Sequence, residues 1–123
     1  MRDYTEHPEM SQYLLEDSFV LEIAAAPGEL TLRADLVLTF AHPLVQPPKP
    51  GEQMCFASGQ IEFRGVTALT WTEQGSPPAL GADGVVDYGH IDSCRWDGST
   101  FELSGDFGSI RTVASSVNVA LDG

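Results

Sequence analysis

The sequence predicts an all-β fold: an antiparallel β-sandwich or flattened barrel of about eight to nine strands, largely a meander, in one domain over residues 1–123. Three observations predict it. Apolar and polar residues alternate at period two along several short runs, as in strands with one buried and one wet face. Turn residues recur roughly every 8–12 positions. Hydrophobic residues make up 42% of the 123, enough for one core in a chain too short for two ordinary domains.

The clearest alternation runs from Leu30 to Phe40, with Leu30, Leu32, Ala34, Leu36, Leu38 and Phe40 on one face and Thr31, Arg33, Asp35 and Thr39 on the other. Upstream, Phe19, Leu21 and Ile23 alternate with Val20 and Glu22, and Pro27-Gly28 reads as the turn of a long hairpin over 18–40. The Leu and Ala content of 12–26 also suits a helix; the β-branched and aromatic residues and the Pro-Gly stop favour a strand. Residues 1–12 are expected to be loosely ordered. Four of the eight prolines fall between His42 and Gly51. Each lacks a backbone N–H, so 41–52 reads as an extended crossover from one sheet to the other. Short strands follow at 53–57 and 60–64 around a Ser58-Gly59 turn, then at 66–72. Residues 73–84 have the composition of a flexible loop. The last strands are 85–96, 100–104, 109–114 and 116–121. Asp97-Gly98 between the first two of these is a hairpin signal.

Eighteen Asp and Glu oppose six Lys and Arg, a net charge of −12. Phosphate backbones and anionic membranes both demand basic patches, so neither nucleic acid nor a membrane surface is the expected partner. No apolar run reaches the roughly 18 residues of a membrane helix. The N-terminal residues lack a secretory pattern, and the cytoplasm is the default location. Cys55 and Cys94 lie in no metal-binding cluster and read as free thiols, with a disulfide requiring neighbouring strands. No metal and no cofactor is expected.

Few residues point to chemistry. Asp106-Phe107-Gly108 spells the kinase metal-binding tripeptide, but the glycine loop, catalytic loop and strand lysine are missing, and a hairpin turn explains it. Tyr88, His90 and Asp92 fall on one face of a predicted strand, where the carboxylate would orient the imidazole. That face is a weak candidate for a small-molecule or carbohydrate binder or a hydrolase; an ordinary wet face explains it too. Trp71, Trp96, Tyr13 and Tyr88 could stack on sugars or fill the core. Glu16 and Asp17, with Asp3, Glu6 and Glu9, make the N-terminal region acidic and offer a surface to a basic partner.

Several segments in order, Leu15-Glu16-Asp17-Ser18-Phe19-Val20-Leu21, His42-Pro43 through Pro50-Gly51-Glu52, Ile61-Glu62-Phe63, Asp87-Tyr88-Gly89-His90-Ile91-Asp92 and Gly105-Asp106-Phe107-Gly108, resemble a group of short uncharacterised bacterial all-β proteins. The resemblance spans nearly the whole chain and implies no activity, cofactor or catalytic residue. In size and acidity the chain is also similar to bacterial immunity proteins, which neutralise toxins by tight binding. The favoured expectation leans away from an enzyme, towards an acidic protein-binding module for a basic partner. A homodimer through exposed edge strands is a further expectation.

Overall fold

The alternation of residues 30–36 is obeyed to the residue. In the computed structural model, which describes residues 1–51, 54–72, 79–80, 86–87 and 89–122, Leu30, Leu32, Ala34 and Leu36 are all fully buried. The strands in chain order are β1 (Arg2–Asp3), β2 (Tyr13–Ala26), β3 (Glu29–Leu38), β4 (Phe56–Arg64), β5 (Ala68–Thr72), β6 (Ala79–Leu80), β7 (Val86–Asp87), β8 (Ile91–Asp97), β9 (Thr100–Gly105), β10 (Gly108–Val113) and β11 (Ser116–Leu121).

Two antiparallel sheets hold nine of these strands, in the orders β1-β8-β9-β10-β5 and β11-β4-β3-β2, while β6 and β7 form a separate pair. The fold is thus all-β and sandwich-like. Consecutive strands pair within β2-β3-β4 and within β8-β9-β10, as a meander requires. The chain changes between these two sheets from β1 to β2, from β4 to β5 and from β10 to β11. Among the described residues the only helical element is a 3-10 turn at Tyr4–Glu6, and no helix is long and apolar enough to cross a membrane.

Inward side chains of both sheets form one core, including Leu30, Leu32, Ile61 and Phe63 from one sheet and Cys94, Phe101, Leu103 and Ile110 from the other. Phe63 meets Phe101 edge-on across the layers, ring centroids 5.1 Å apart. Each such large side chain, fully buried, contributes about 1.5–3 kcal/mol of transfer free energy.

Of residues 12–26, Tyr13–Ala26 form strand, because pairing with β3 outweighs the weak helical preference of Leu and Ala. Pro27-Gly28 is the hairpin turn, with Gly28 at φ 78°, where a side chain would be strained. The hairpin is irregular. Its register shifts between Leu14 and Phe19. There the fully buried Ser18 hydroxyl accepts a hydrogen bond from the Val37 N–H at 3.0 Å and donates to the Leu14 carbonyl at 2.8 Å. The hydroxyl thus replaces ladder bonds that the bulge removes, and Glu16 and Asp17 are turned out to solvent.

Several expectations are corrected. The proline-rich segment does not change sheets: β3 and β4 are neighbours in one sheet, paired from Glu29↔Arg64 to Val37↔Phe56. The segment leaves the ladder, where missing N–H groups cost nothing, and folds back over the sheet's outer face. Ser58-Gly59 is not a turn, since β4 runs straight through it. Gly59 serves close packing: a Cβ there would stand 2.5 Å from the Ala120 carbonyl oxygen of β11. Residues 85–96 are not one strand, because Gly89 at φ 80° separates β7 from β8. Phe40 lies beyond β3 and is 99% exposed. Residues 1–12, expected to be loose, are tied in: β1 pairs with β8, and Tyr4 and Met10 are fully buried. The expected flexible loop, 73–84, lies outside the described residues apart from Ala79–Leu80.

Candidate functional site

Of the three residues placed on one face, Tyr88 lies outside the described residues. His90 and Asp92 are both exposed, on either side of the buried Ile91, and the register of β8 shifts between Ile91 and Ser93. The His90 ring rests on Phe19, centroids 4.3 Å apart. Among the described residues no side chain hydrogen-bonds its imidazole. The carboxylate that reaches this segment is Asp106, whose Oδ2 accepts the His90 backbone N–H at 3.2 Å. The Asp106-Phe107 turn between β9 and β10 is therefore a structural clasp. The Trp71 indole adds to it by donating to the Phe107 carbonyl at 2.9 Å. Both tryptophans are half-buried against the core rather than set out as a stacking platform. Among the described residues no group of three His, Cys, Asp or Glu side chains is placed to hold a metal ion.

Glu16 and Asp17 are exposed on β2, two and three positions after Leu14, which lines a different feature. The folded-back proline segment covers Val37 on the outer face of β3 and leaves a cleft of about 310 Å³. Its walls include Leu14, Val37, Phe40, Val45, Met54 and Cys55, and its surface is overwhelmingly apolar. Phe40 (99% exposed) and Leu14 (38%) line it, and Leu44 (62%) is exposed in the proline segment. No signal in the sequence marked Phe40, because its parity matched the core face.

The segment is anchored to the N-terminal region by polar contacts. Thr39 N–H donates to the Gln12 carbonyl at 3.0 Å. The Leu44 N–H donates to His42 Nδ1 at 3.0 Å, which leaves the ring proton on Nε2. Nε2 then donates to the Tyr13 hydroxyl oxygen at 3.1 Å, and His42 and Tyr13 are both buried. Burial pushes the Tyr13 hydroxyl pKa up, and the charge of Glu9 adds to the rise. Nearby, the Tyr4 hydroxyl accepts from the Leu15 N–H at 3.0 Å and donates to Glu16 at 2.5 Å. Burial above all, then that bond to Glu16, raises the Tyr4 pKa. Glu9 and Glu16 thus lie near Tyr13 and Tyr4, the buried tyrosines of the N-terminal region.

The cations do little to offset these acids. Arg33, Arg64 and Arg111 are bound to Asp122, Glu62 and Glu102 in exposed pairs. On the outer face of the five-stranded sheet, Arg95, Glu102 and Arg111 form one cross-strand row and Ser93, Ser104, Ser109 and Thr72 the next. That shallow polar face has its charges already paired in part and presents no aromatic platform.

The chain matches no protein-family model, no curated protein and no solved structure.

Proposed function

We propose that the protein is a non-enzymatic binding module for a basic protein, in the manner of an immunity protein, and that the cleft beneath the proline segment receives the partner. The observation that carries this reading is an apolar cleft at which Leu14 and the fully exposed Phe40 stand open, in a strand that carries the exposed Glu16 and Asp17 two and three positions after Leu14. An apolar anchor entering the cleft supplies affinity, and Lys or Arg flanking it meet the carboxylates. The uncompensated charge of the chain speeds encounter with such a partner.

The test uses a defined probe, an extended synthetic peptide of alternating lysine and leucine, titrated by calorimetry at low and high salt. Saturable binding that weakens with salt is expected. Phe40→Ser should reduce it, as should the pair Glu9→Gln and Asp17→Asn. Glu16 is left in place because it holds Tyr4. At about 0.5–1 kcal/mol per rim charge, the double variant should bind about five- to thirty-fold more weakly. A peptide of lysine and serine should bind less well. Absence of saturable binding, or equal binding by both variants, overturns the reading.

A further inference from the structure

Strand β11 forms one edge of the four-stranded sheet, and its sequence, Ser-Val-Asn-Val-Ala-Leu, contains no charge and no proline. Edge strands are ordinarily blunted by lysine, proline or a bulge. In a chain of net charge −12, an edge without any of these is a notable omission.

The backbone of this edge is also open. The Asp122 N–H donates to the Ser58 carbonyl at 2.8 Å, continuing the register in which Leu121 faces Gly59 and Val119 faces Ile61. In an antiparallel ladder, alternate residues bond to the same neighbour. Ser116, Asn118 and Ala120 therefore bond to β4, while the N–H and C=O groups of Val117, Val119 and Leu121 point away from the sheet. Among the described residues nothing pairs with them. On the core side, Val117 is buried, but Val119 and Leu121 are only half covered.

We infer that the protein forms a two-fold symmetric dimer in which β11 pairs antiparallel with β11 of a second copy, Val119 opposite the partner's Val119. This register sets Val117 opposite the partner's Leu121, and the reverse. All the outward-pointing groups then face one another, giving about six new backbone hydrogen bonds. The half-covered Val119 and Leu121 gain apolar neighbours. At each end Ser116 stands opposite the partner's Asp122. Arg64 is the β4 residue beside Ser116, and its side chain is 64% exposed. In the dimer it approaches the partner's Asp122, adding to the pairs that Arg64 already makes with Glu62 and Asp122 with Arg33, and the two-fold axis repeats this contact, as an isologous interface demands. The uncharged edge is also where two strongly acidic molecules meet without direct repulsion. This inference stands apart from the cleft, and either can fail alone.

The experiment is light scattering after size exclusion on the full chain, with amide hydrogen exchange read by NMR. A six-residue pairing is a small interface, so dimer should dominate at about 100 µM and dissociate on dilution. The mass should move between twice 13.3 kDa and 13.3 kDa. Exchange at Val117, Val119 and Leu121 should slow as concentration rises. Val119→Pro removes a donor that only the dimer uses, because proline is tolerated where an edge N–H faces solvent. It should remain monomeric at every concentration. Should Val119→Pro fail to fold, Arg64→Glu serves: it sets like charges at both ends and should weaken dimerisation about five- to tenfold. A mass of 13.3 kDa at about 1 mM, or concentration-independent exchange at the three amides, overturns the inference.

Discussion

Ser18→Ala isolates the hydroxyl that holds the β2 bulge together. Ser18 and Val37 are 0% and 1% exposed, so the Val37 N–H has no route to water once its acceptor is removed. Stranding a buried donor costs about 1–3 kcal/mol. Losing the second bond, from Ser18 to the Leu14 carbonyl, costs less, because Leu14 is exposed and water can replace the donor. The two together give an expected loss of about 2–3 kcal/mol. For a domain of this size that corresponds to a fall in Tm of about 10 °C. Urea denaturation and calorimetry measure it. Ser116→Ala, at an exposed position, is the control and should stay within about 0.5 kcal/mol of wild type. If Ser18→Ala is equally silent, the hydroxyl is not what satisfies the bulge, and Glu16 and Asp17 owe their outward placement to something else.

Two other outcomes are expected. Burial pushes the Cys94 thiol pKa up to about 12, and its S–H lies 4.0 Å from the Met10 sulfur. A disulfide reagent at pH 8 should therefore titrate one thiol in the native protein, the half-buried Cys55, and two in urea; two native thiols would contradict the packing of residues 4–10. The raised Tyr4 pKa makes stability full below pH 10 and progressively lost above it, since the unfolded phenol ionises first. Tyr4→Phe should flatten this alkaline loss in urea melts between pH 8 and 11. It should also cost about 1–3 kcal/mol at neutral pH by orphaning the Leu15 N–H. An unchanged alkaline slope would refute the assignment.

Strand identity was legible wherever one face is buried and the other wet, because burial imposes the period directly. Leu30 through Leu36 and the hairpins at Gly28 and Gly98 follow from the sequence alone. Partnership was less legible. Nothing in Pro47-Pro48 says which sheet the chain rejoins, and Gly59 reads as a turn because its reason, the approach of Ala120, lies 61 residues away. The same limit hid the cleft. Leu14, Val37, Phe40 and Cys55 converge only after β3 and β4 pair, so no local window contains the site. Asp106, the carboxylate that meets the His90 backbone, lies 16 residues on in the β9–β10 turn, so the local reading of residues 87–92 could not name it.

The docking of the first dozen residues also constrains how the molecule is made. Tyr4 and Met10 belong to the core, yet β1 pairs with Arg95 and Trp96, and the Trp96 indole donates to the Asp3 carbonyl across 93 positions. During synthesis at roughly 5–20 residues per second, that segment waits on the order of ten seconds for its docking strand to be made. Strand β4 waits as well, since β11 is translated near the end. Nascent chains therefore expose Met10, Tyr4 and an unpaired β4 edge together. Folding is a late event dominated by distant pairings, in the slower range for small domains.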